Sequence, residues 1–213
     1  MVLSPWESKA MPHLLTQRLQ RCSGLQPVLD RALSRAFELT GATLGNVQLM
    51  DWKRGYLTIA AQCGFNDEFL DFFRCVKAEH GSACARAIRE RRPVVVEDVL
   101  ADWEFAPYRT HALESGFRAV QSTPLISSSG AFVGVLSTHF PAPHRPSEQE
   151  MLALKELAKL TASAIILQRA IERGVEKSIA NAKGKLVDSG YEAVADSYEL
   201  IRQADVRLNR WRR

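Results

Sequence analysis

The run FRAVQSTPLISSSGAFVGVLSTHF, residues 117–140, constrains the fold more than any other part of the sequence. Two β-like segments flank the polar stretch Ser127–Gly130, which predicts a long antiparallel hairpin. A four-residue loop there would place Ile126 opposite Ala131. Because neither face of the hairpin is plainly polar, we expect other elements to cover both faces.

Alternation along the two strands assigns Val120, Ser122, Ser137 and His139 to one face of the hairpin. The two serines carry small hydroxyls where larger side chains would fill space, which suggests a cavity. Small polar residues also occur under covering helices, so this reading stays open. For His139 three roles remain: contact with a ligand, coordination of a haem iron, or a hydrogen bond to a neighbouring loop.

The remaining segments predict an α+β protein with an antiparallel sheet. Apolar residues recur at helical spacing over residues 25–39, and Gly41 ends that helix. Two strands, NVQLMDW and YLTIAAQC, follow, and then come short helices and the β-branched strand PVVVEDV. Ser147 and Glu150 form a capping box that begins a long amphipathic helix.

The C-terminal part of the chain is predicted to be helical throughout, with interruptions. The long helix is expected to run to about Gly174 and a second stretch to about Val187, and a break at Asp188-Ser189-Gly190 precedes a last helix from Tyr191. The domain organisation that follows is an N-terminal segment at 1–22, a core domain at 23–172 and a helical C-terminal extension at 173–213.

Composition restricts the class of protein. No run of about 18 apolar residues exists, so no membrane span is expected, and the N-terminus lacks the pattern of a secretory signal, which favours a cytoplasmic location. The four cysteines, Cys22, Cys63, Cys75 and Cys84, show no CxxC spacing, so no metal site is expected. Most of the net charge of +4 comes from arginines after residue 201, which we interpret as a solvated helix end rather than a nucleic-acid site.

The segment LADWEFAPYRTHALESG, residues 100–116, is rich in aromatic residues and lies between predicted strands. Such connections often carry ligand contacts. Trp103, Phe105 and Tyr108 are therefore candidates for a lid over a ligand, or for a plug that fills an empty site.

Over residues 25–171 this pattern resembles a GAF domain, a small-molecule-sensing module common in bacterial signalling proteins. The resemblance rests on RPVVVEDV, GFRAVQSTPLI, GAFVGVLSTHF and the helix that begins at Ser147. It implies a single GAF domain with a sheet of about six strands. The N- and C-terminal helices would pack on one face and a ligand pocket would lie on the other. It also implies dimers formed through the terminal helices.

The segment VGVLSTHFPAP resembles the phytochrome segment that ends in Cys-His-His before a proline. That resemblance implies that Val120, Ser122 and His139 occupy positions that contact the bilin in phytochromes. The cysteine that carries the bilin in plant-type members falls on Pro107, and the adjacent histidine falls on Tyr108. Covalent attachment of a bilin is therefore not expected.

Free methionine sulfoxide reductases are the enzymes of the family, and their catalysis needs cysteine pairs that exchange disulfides. GSACARAI resembles the start of their motif, with Cys84 in register with one cysteine, but the second cysteine is missing from ADWEFAPYRTH. The signature of GAF domains that bind cyclic nucleotides is also missing.

These observations predict a non-enzymatic sensory or regulatory protein of bacterial signal transduction, of the kind found in two-component systems. The sequence identifies no cofactor. The candidate contact residues are Trp103, Phe105, Tyr108, Val120, Ser122, Ser137 and His139. The expected partners are a second copy of the chain, held through the terminal helices, and a kinase or response regulator. The alternatives are a thiol-dependent reductase that uses Cys84 and a dimerisation module without a ligand.

Overall fold

The computed structural model describes residues 24–211, with side chains up to residue 178 and at residue 181. The helices are α1 (Gln26–Thr40), α2 (Asp67–Phe72), α3 (Ala83–Glu90), α4 (Arg109–Glu114) and α5 (Glu148–Trp211). The strands are β1 (Leu44–Asp51), β2 (Tyr56–Cys63), β3 (Val94–Val96), β4 (Ala119–Ile126) and β5 (Phe132–Phe140). All the strands are antiparallel and form one sheet in the order β2-β1-β5-β4-β3. The α+β class with an antiparallel sheet is thus confirmed.

The end of α1 and the start of α5 follow from the residues that cap these helices. α1 ends at Gly41, which adopts φ 69° and donates its backbone N–H to Phe37. Before α5, Ser147 N–H donates to Glu150 Oε2 at 2.8 Å, and Glu150 N–H donates to Ser147 Oγ at 3.2 Å. Both the predicted glycine stop and the predicted capping box are confirmed.

The hairpin of β4 and β5 forms, but its register differs from the prediction. Ile126 lies opposite Phe132 rather than Ala131, and beyond an irregularity at that point the pairing is displaced by two residues from the predicted one. Because side chains alternate with a period of two, a displacement of two keeps each residue on its predicted face. Ser122 and Ser137 therefore share a face and lie directly opposite each other.

The sheet has five strands among the described residues, one fewer than the resemblance implied. At the outer edge of β2, Leu57 forms an isolated bridge with Val76, with backbone N–H···O distances of 2.8 and 3.0 Å. A single bridge thus extends the sheet beyond β2 without forming a further strand.

Different elements cover the two faces of the sheet. α1 and the first part of α5 pack on one face, where Leu29, Leu33, Leu154 and Ile165 meet Leu136 of β5 in an apolar core. The other face is covered by α2, α3 and the segment after β3, in a second core rich in aromatic residues. The prediction that the N- and C-terminal helices share one face is confirmed.

The predicted break at Asp188-Ser189-Gly190 is wrong, because α5 is continuous from Glu148 to Trp211. A glycine in a helix interior costs only about 1 kcal/mol relative to alanine, which is too little to end a helix of this length.

The chain divides into two compact units, Met1–Gln168 and Arg169–Arg213. The predicted segment at 1–22 lies outside the described residues, and the boundary at 172/173 remains a prediction. No helix in the described part is long and apolar enough to cross a membrane.

Candidate functional site

A row of small polar side chains crosses the middle of the sheet. Asn46 of β1 pairs with Ser137 of β5, which in turn pairs with Ser122 of β4. The two serine hydroxyls lie 2.8 Å apart and form a hydrogen bond. Residues that lie opposite each other in antiparallel strands point to the same face. The row therefore forms a polar floor on the face away from α1 and α5.

Two larger polar side chains, Gln48 and His139, extend this floor. Gln48 follows Asn46 by two residues on β1, and His139 follows Ser137 by two residues on β5, so both point to the same face. Asn46, Gln48 and His139 are only 3%, 1% and 4% exposed. Asn46 Oδ1, Gln48 Oε1 and His139 Nδ1 have no hydrogen-bond partner among the described residues. Each such buried, unpaired atom costs about 1–3 kcal/mol.

Aromatic rings form a roof over the polar floor. The Phe117 and Phe65 rings lie 4.6 and 4.9 Å from the His139 ring, centroid to centroid. Between floor and roof is a cavity of about 20 Å³, which is room for about one water molecule. Its lining residues are Asn46, Gln48, Phe69, Phe73, Ser82, Ala83, Cys84, Phe105, Phe117, Val120, Ser122, Ser137 and His139.

Burial keeps the imidazole of His139 neutral. Loss of hydration lowers the pKa of His139 from 6.5 to about 3, and a hydrogen bond with the Leu44 backbone opposes this only in part. The neutral ring, with an unpaired Nδ1, is suited to hydrogen bonding with a ligand rather than to charge pairing.

The neutral state of His139 predicts a pH dependence of stability with a definite sign. The unfolded chain binds this proton near pH 6.5, whereas the folded chain binds it only near pH 3. The unfolded state therefore holds more protons between these values, and the free energy of unfolding falls as the pH is lowered. We expect urea unfolding to show a loss of about 2 kcal/mol between pH 7 and pH 5. In His139→Gln, the loss of unfolding free energy between pH 7 and pH 5 should be smaller by about 2 kcal/mol. Equal losses in the wild type and the variant would contradict the assignment of this pH dependence to His139.

Cys84 places a thiol in the lining, next to Ser82 Oγ at 3.4 Å. Burial raises the pKa of the Cys84 thiol, so it is protonated at neutral pH and a poor nucleophile. Cys63 and Cys75 are exposed, and all three described cysteines are free. In the described part of the chain, no group of three or more His, Cys, Asp or Glu side chains is arranged to hold a metal ion.

The loop between β3 and α4 holds the roof in place through charged contacts. We define the roof segment as residues 98–109. Arg86 of α3 is buried and forms an ion pair with Asp102 at 2.9 Å. Asp102 Oδ1 also accepts the backbone N–H of Phe105 at 2.9 Å, which turns the Phe105 ring inward. Arg109 donates to the Val99 and Asp102 carbonyls at 2.9 and 3.0 Å.

The roof segment also packs closely on the start of α3. Gly81 N–H donates to Tyr108 Oη at 3.2 Å. A Cβ at Gly81 would lie 2.4 Å from the Glu104 carbonyl oxygen, so only glycine permits this approach. The roof is therefore closed by backbone packing as well as by the Arg86–Asp102 pair.

The structure brings together most of the residues that the sequence nominated. Five of them line the cavity: Phe105, Val120, Ser122, Ser137 and His139. Tyr108 lies behind the lining and packs on the Phe105 and Phe73 rings at 5.5 and 5.9 Å. Trp103 is 80% exposed and takes no part in the lining. Its neighbours Asp102 and Phe105 are anchored inward, which turns Trp103 towards solvent.

Asn46 and Gln48 are the site residues that the sequence reasoning missed. Both lie in NVQLMDW, where two polar residues alternate with apolar ones in a strand that is buried on both faces. That alternation was the available signal. The same alternation is equally typical of a strand whose polar face is exposed to solvent. The aromatic roof that covers this face comes from distant parts of the chain, so the local sequence does not show that the face is buried.

Comparisons with known proteins agree with this architecture. A sequence model of the GAF domain family matches residues 22–166. Three solved structures, among others, share this fold. A domain of a two-component sensor histidine kinase protein from Sinorhizobium meliloti 1021 is 18% identical, with a TM-score of 0.56 over 68% of this chain and 92% of that one. The free methionine-R-sulfoxide reductase of Neisseria meningitidis, in complex with its substrate, is 23% identical, with a TM-score of 0.55 over 67% of this chain and 78% of that one. The blue-light absorbing form of the PixJ GAF domain of Thermosynechococcus elongatus is 17% identical, with a TM-score of 0.55 over 72% of this chain and 91% of that one. No curated protein matches the chain. At these identities the structural likeness shows the fold alone.

Proposed function

Because the chain belongs to the GAF domain family, we propose that it is a sensory or regulatory protein of bacterial signal transduction whose cavity binds a small molecule. The observation that carries this proposal is the set of three buried, unpaired acceptors on the cavity floor. Together they cost several kcal/mol in the free protein, at about 1–3 kcal/mol each. A bound ligand that donates hydrogen bonds would recover that cost.

Ligand entry requires the roof to move, because a cavity of about 20 Å³ holds no organic molecule. The protein would thus exchange between a closed state, held by the Arg86–Asp102 ion pair, and an open state that admits the ligand. A ligand that binds one state more tightly shifts the population towards it. The roof segment is the element that this exchange moves.

Two central strands connect the cavity to the helices on the other face. Asn46 and Ser137 point into the cavity, whereas their neighbours Val47 and Leu136 point into the core formed with α1 and α5. A change in strand position on one face therefore alters helix packing on the other. This is the route by which occupancy of the cavity would reach the terminal helices.

The role of the unpaired acceptors is tested by Gln48→Met. Methionine has nearly the same length and needs no hydrogen bond, so we expect the free energy of unfolding of the ligand-free chain to rise by about 1 kcal/mol, while binding of the ligand is lost. The measurement is denaturant unfolding, together with native mass spectrometry and an absorption spectrum of freshly purified protein. A small molecule should accompany the wild type and be missing from the variant.

Gln121→Met is the matched control. Gln121 is equally buried and also has an unpaired Oε1, but it lies on the opposite face of the sheet. This control should keep the ligand. If Gln48→Met lowers stability and neither chain carries a small molecule, Gln48 is a structural residue and the proposal fails.

We also propose that two copies of the chain associate through α5. Leu160 and Leu167 are exposed, seven residues apart on one stripe of the helix, and an open groove separates this stripe from α1. Leucines that repeat every seven residues fit an identical partner helix across a two-fold axis. We therefore expect α5 of a second copy of the chain to pack against this stripe.

The double variant Leu160→Glu/Leu167→Glu is expected to sediment as a monomer at concentrations where the wild type is a dimer, because charges would be buried in the seam. Leu152→Glu provides the control. Leu152 is 62% exposed, as is Leu167, but lies about 80° around the helix from Leu160. Dissociation by the control, or a dimer in the double variant, would contradict this interface.

No catalytic step is proposed. The buried, protonated thiol of Cys84 argues against a reductase, and Cys84→Ser should leave any sulfoxide reduction unchanged. The downstream partner would be a kinase or a response regulator in the cytoplasm.

A further inference from the structure

We propose that the ligand is a small, flat, uncharged molecule that offers at least two N–H or O–H donors, such as an amide or an N–H heterocycle. This inference rests on the proposed ligand-binding function and adds the chemical class of the ligand. It follows from the hydrogen-bonding atoms, the charge and the shape of the cavity that Asn46, Gln48 and His139 line.

The buried hydrogen-bonding atoms without a partner are two amide oxygens and a ring nitrogen, which can each accept a hydrogen bond. Asn46 Oδ1, Gln48 Oε1 and His139 Nδ1 are unpaired, whereas the hydroxyls of Ser122 and Ser137 are bonded to each other. Three acceptors around one small space are satisfied by donors on the ligand. A molecule that carries only acceptors would leave all three unpaired.

The lining contains no charged side chain. It holds no Lys, Arg, Asp or Glu, and its one titratable nitrogen base, His139, is neutral. An anion such as a carboxylate or phosphate would lose its hydration without a counter-charge, which costs far more than a neutral group. The Arg86–Asp102 ion pair joins α3 to the roof segment, and neither residue belongs to the lining.

The cavity has a polar side and an apolar side. The floor is the row of polar side chains on the sheet, and the roof presents the rings of Phe69, Phe73, Phe105 and Phe117. A flat molecule with donors along one edge meets both surfaces, because its ring contacts the phenyl groups while its edge reaches the acceptors. Phenyl rings also attract cations, so a protonated amine is the competing class that the experiment must separate.

Benzamide, benzoate and benzamidine test the class, because they share one ring and one planar head group. Benzamide is neutral and donates, benzoate is an anion that only accepts, and benzamidine is a cation that donates. We expect titration calorimetry on the full chain to show binding of benzamide, with benzoate and benzamidine at least about tenfold weaker. Gln48→Met and His139→Phe should each weaken benzamide binding, and Gln121→Met should not.

Gly81→Ala supplies a second measurement. Its Cβ displaces the roof at Glu104, so the chain should bind benzamide more tightly than the wild type does. If benzoate or benzamidine binds best and the binding depends on Gln48, the class is wrong but the ligand-binding function stands. If no probe binds the wild type or Gly81→Ala, the class is wrong, and if the purified wild type also carries no small molecule, the ligand-binding function is overturned with it.

Discussion

Replacing Gly134 with alanine is expected to destabilise the protein by about 3 kcal/mol or more. Gly134 lies in β5, at the centre of the sheet, opposite Leu49 of β1. A Cβ there would meet the backbone carbonyl oxygen of Gln48 at 2.1 Å. Because that atom belongs to the backbone, no rotation of a side chain relieves the clash, and β1 and β5 must separate.

The effect of Gly134→Ala would extend to the cavity floor, since β1 carries Gln48 and β5 carries His139. Denaturant unfolding measures the loss, and Gly174→Ala is the control. Gly174 lies in α5 with open space around its Cα, so alanine there should stabilise the chain by about 0.5–1 kcal/mol. A loss below about 1 kcal/mol for Gly134→Ala would mean that the two strands do not approach as closely as described.

Local chemistry was sufficient to predict much of this fold. The αL stop at Gly41 and the capping box of Ser147 and Glu150 depend on residues close together in sequence, and both form as predicted. The shared face of Ser122 and His139 was also predicted, because the observed register differs from the predicted one by two residues, and an even displacement leaves every side chain on the same face. The register was not, since it depends on how the loop of the hairpin closes.

The parts of the site that sequence reasoning missed depend on contacts between distant segments. Asn46 and Gln48 reach the cavity because β1 inserts between β2 and β5, and β5 follows β1 by more than 80 residues. The roof is closed by Arg86 and Asp102, which come from different elements. The outward turn of Trp103 follows from that ion pair. Such pairings leave no periodic pattern in the sequence.

The second large effect is expected at Phe117, the ring in closest contact with His139. Phe117 is buried and also packs on Phe65, Phe69 and Phe105 at centroid distances of 6.1–6.5 Å. Phe117→Ala removes these contacts and leaves a void, so the free energy of unfolding should fall by about 3–5 kcal/mol. Phe72→Ala, at an exposed ring on α2, should cost about 1 kcal/mol or less.

The void left by Phe117→Ala adjoins the cavity. The variant therefore tests whether the Phe117 ring or the roof segment limits the volume of the cavity. An apolar space of one phenyl ring binds benzene, so benzene should raise the Tm of Phe117→Ala but not that of the wild type. A scan of thermal unfolding with and without benzene measures this difference. If the free energy of unfolding of the variant falls by only about 1 kcal/mol and benzene leaves its Tm unchanged, the roof has relaxed onto the floor and filled the void. In that case the mobility of the roof segment, rather than the Phe117 ring, limits what the cavity holds.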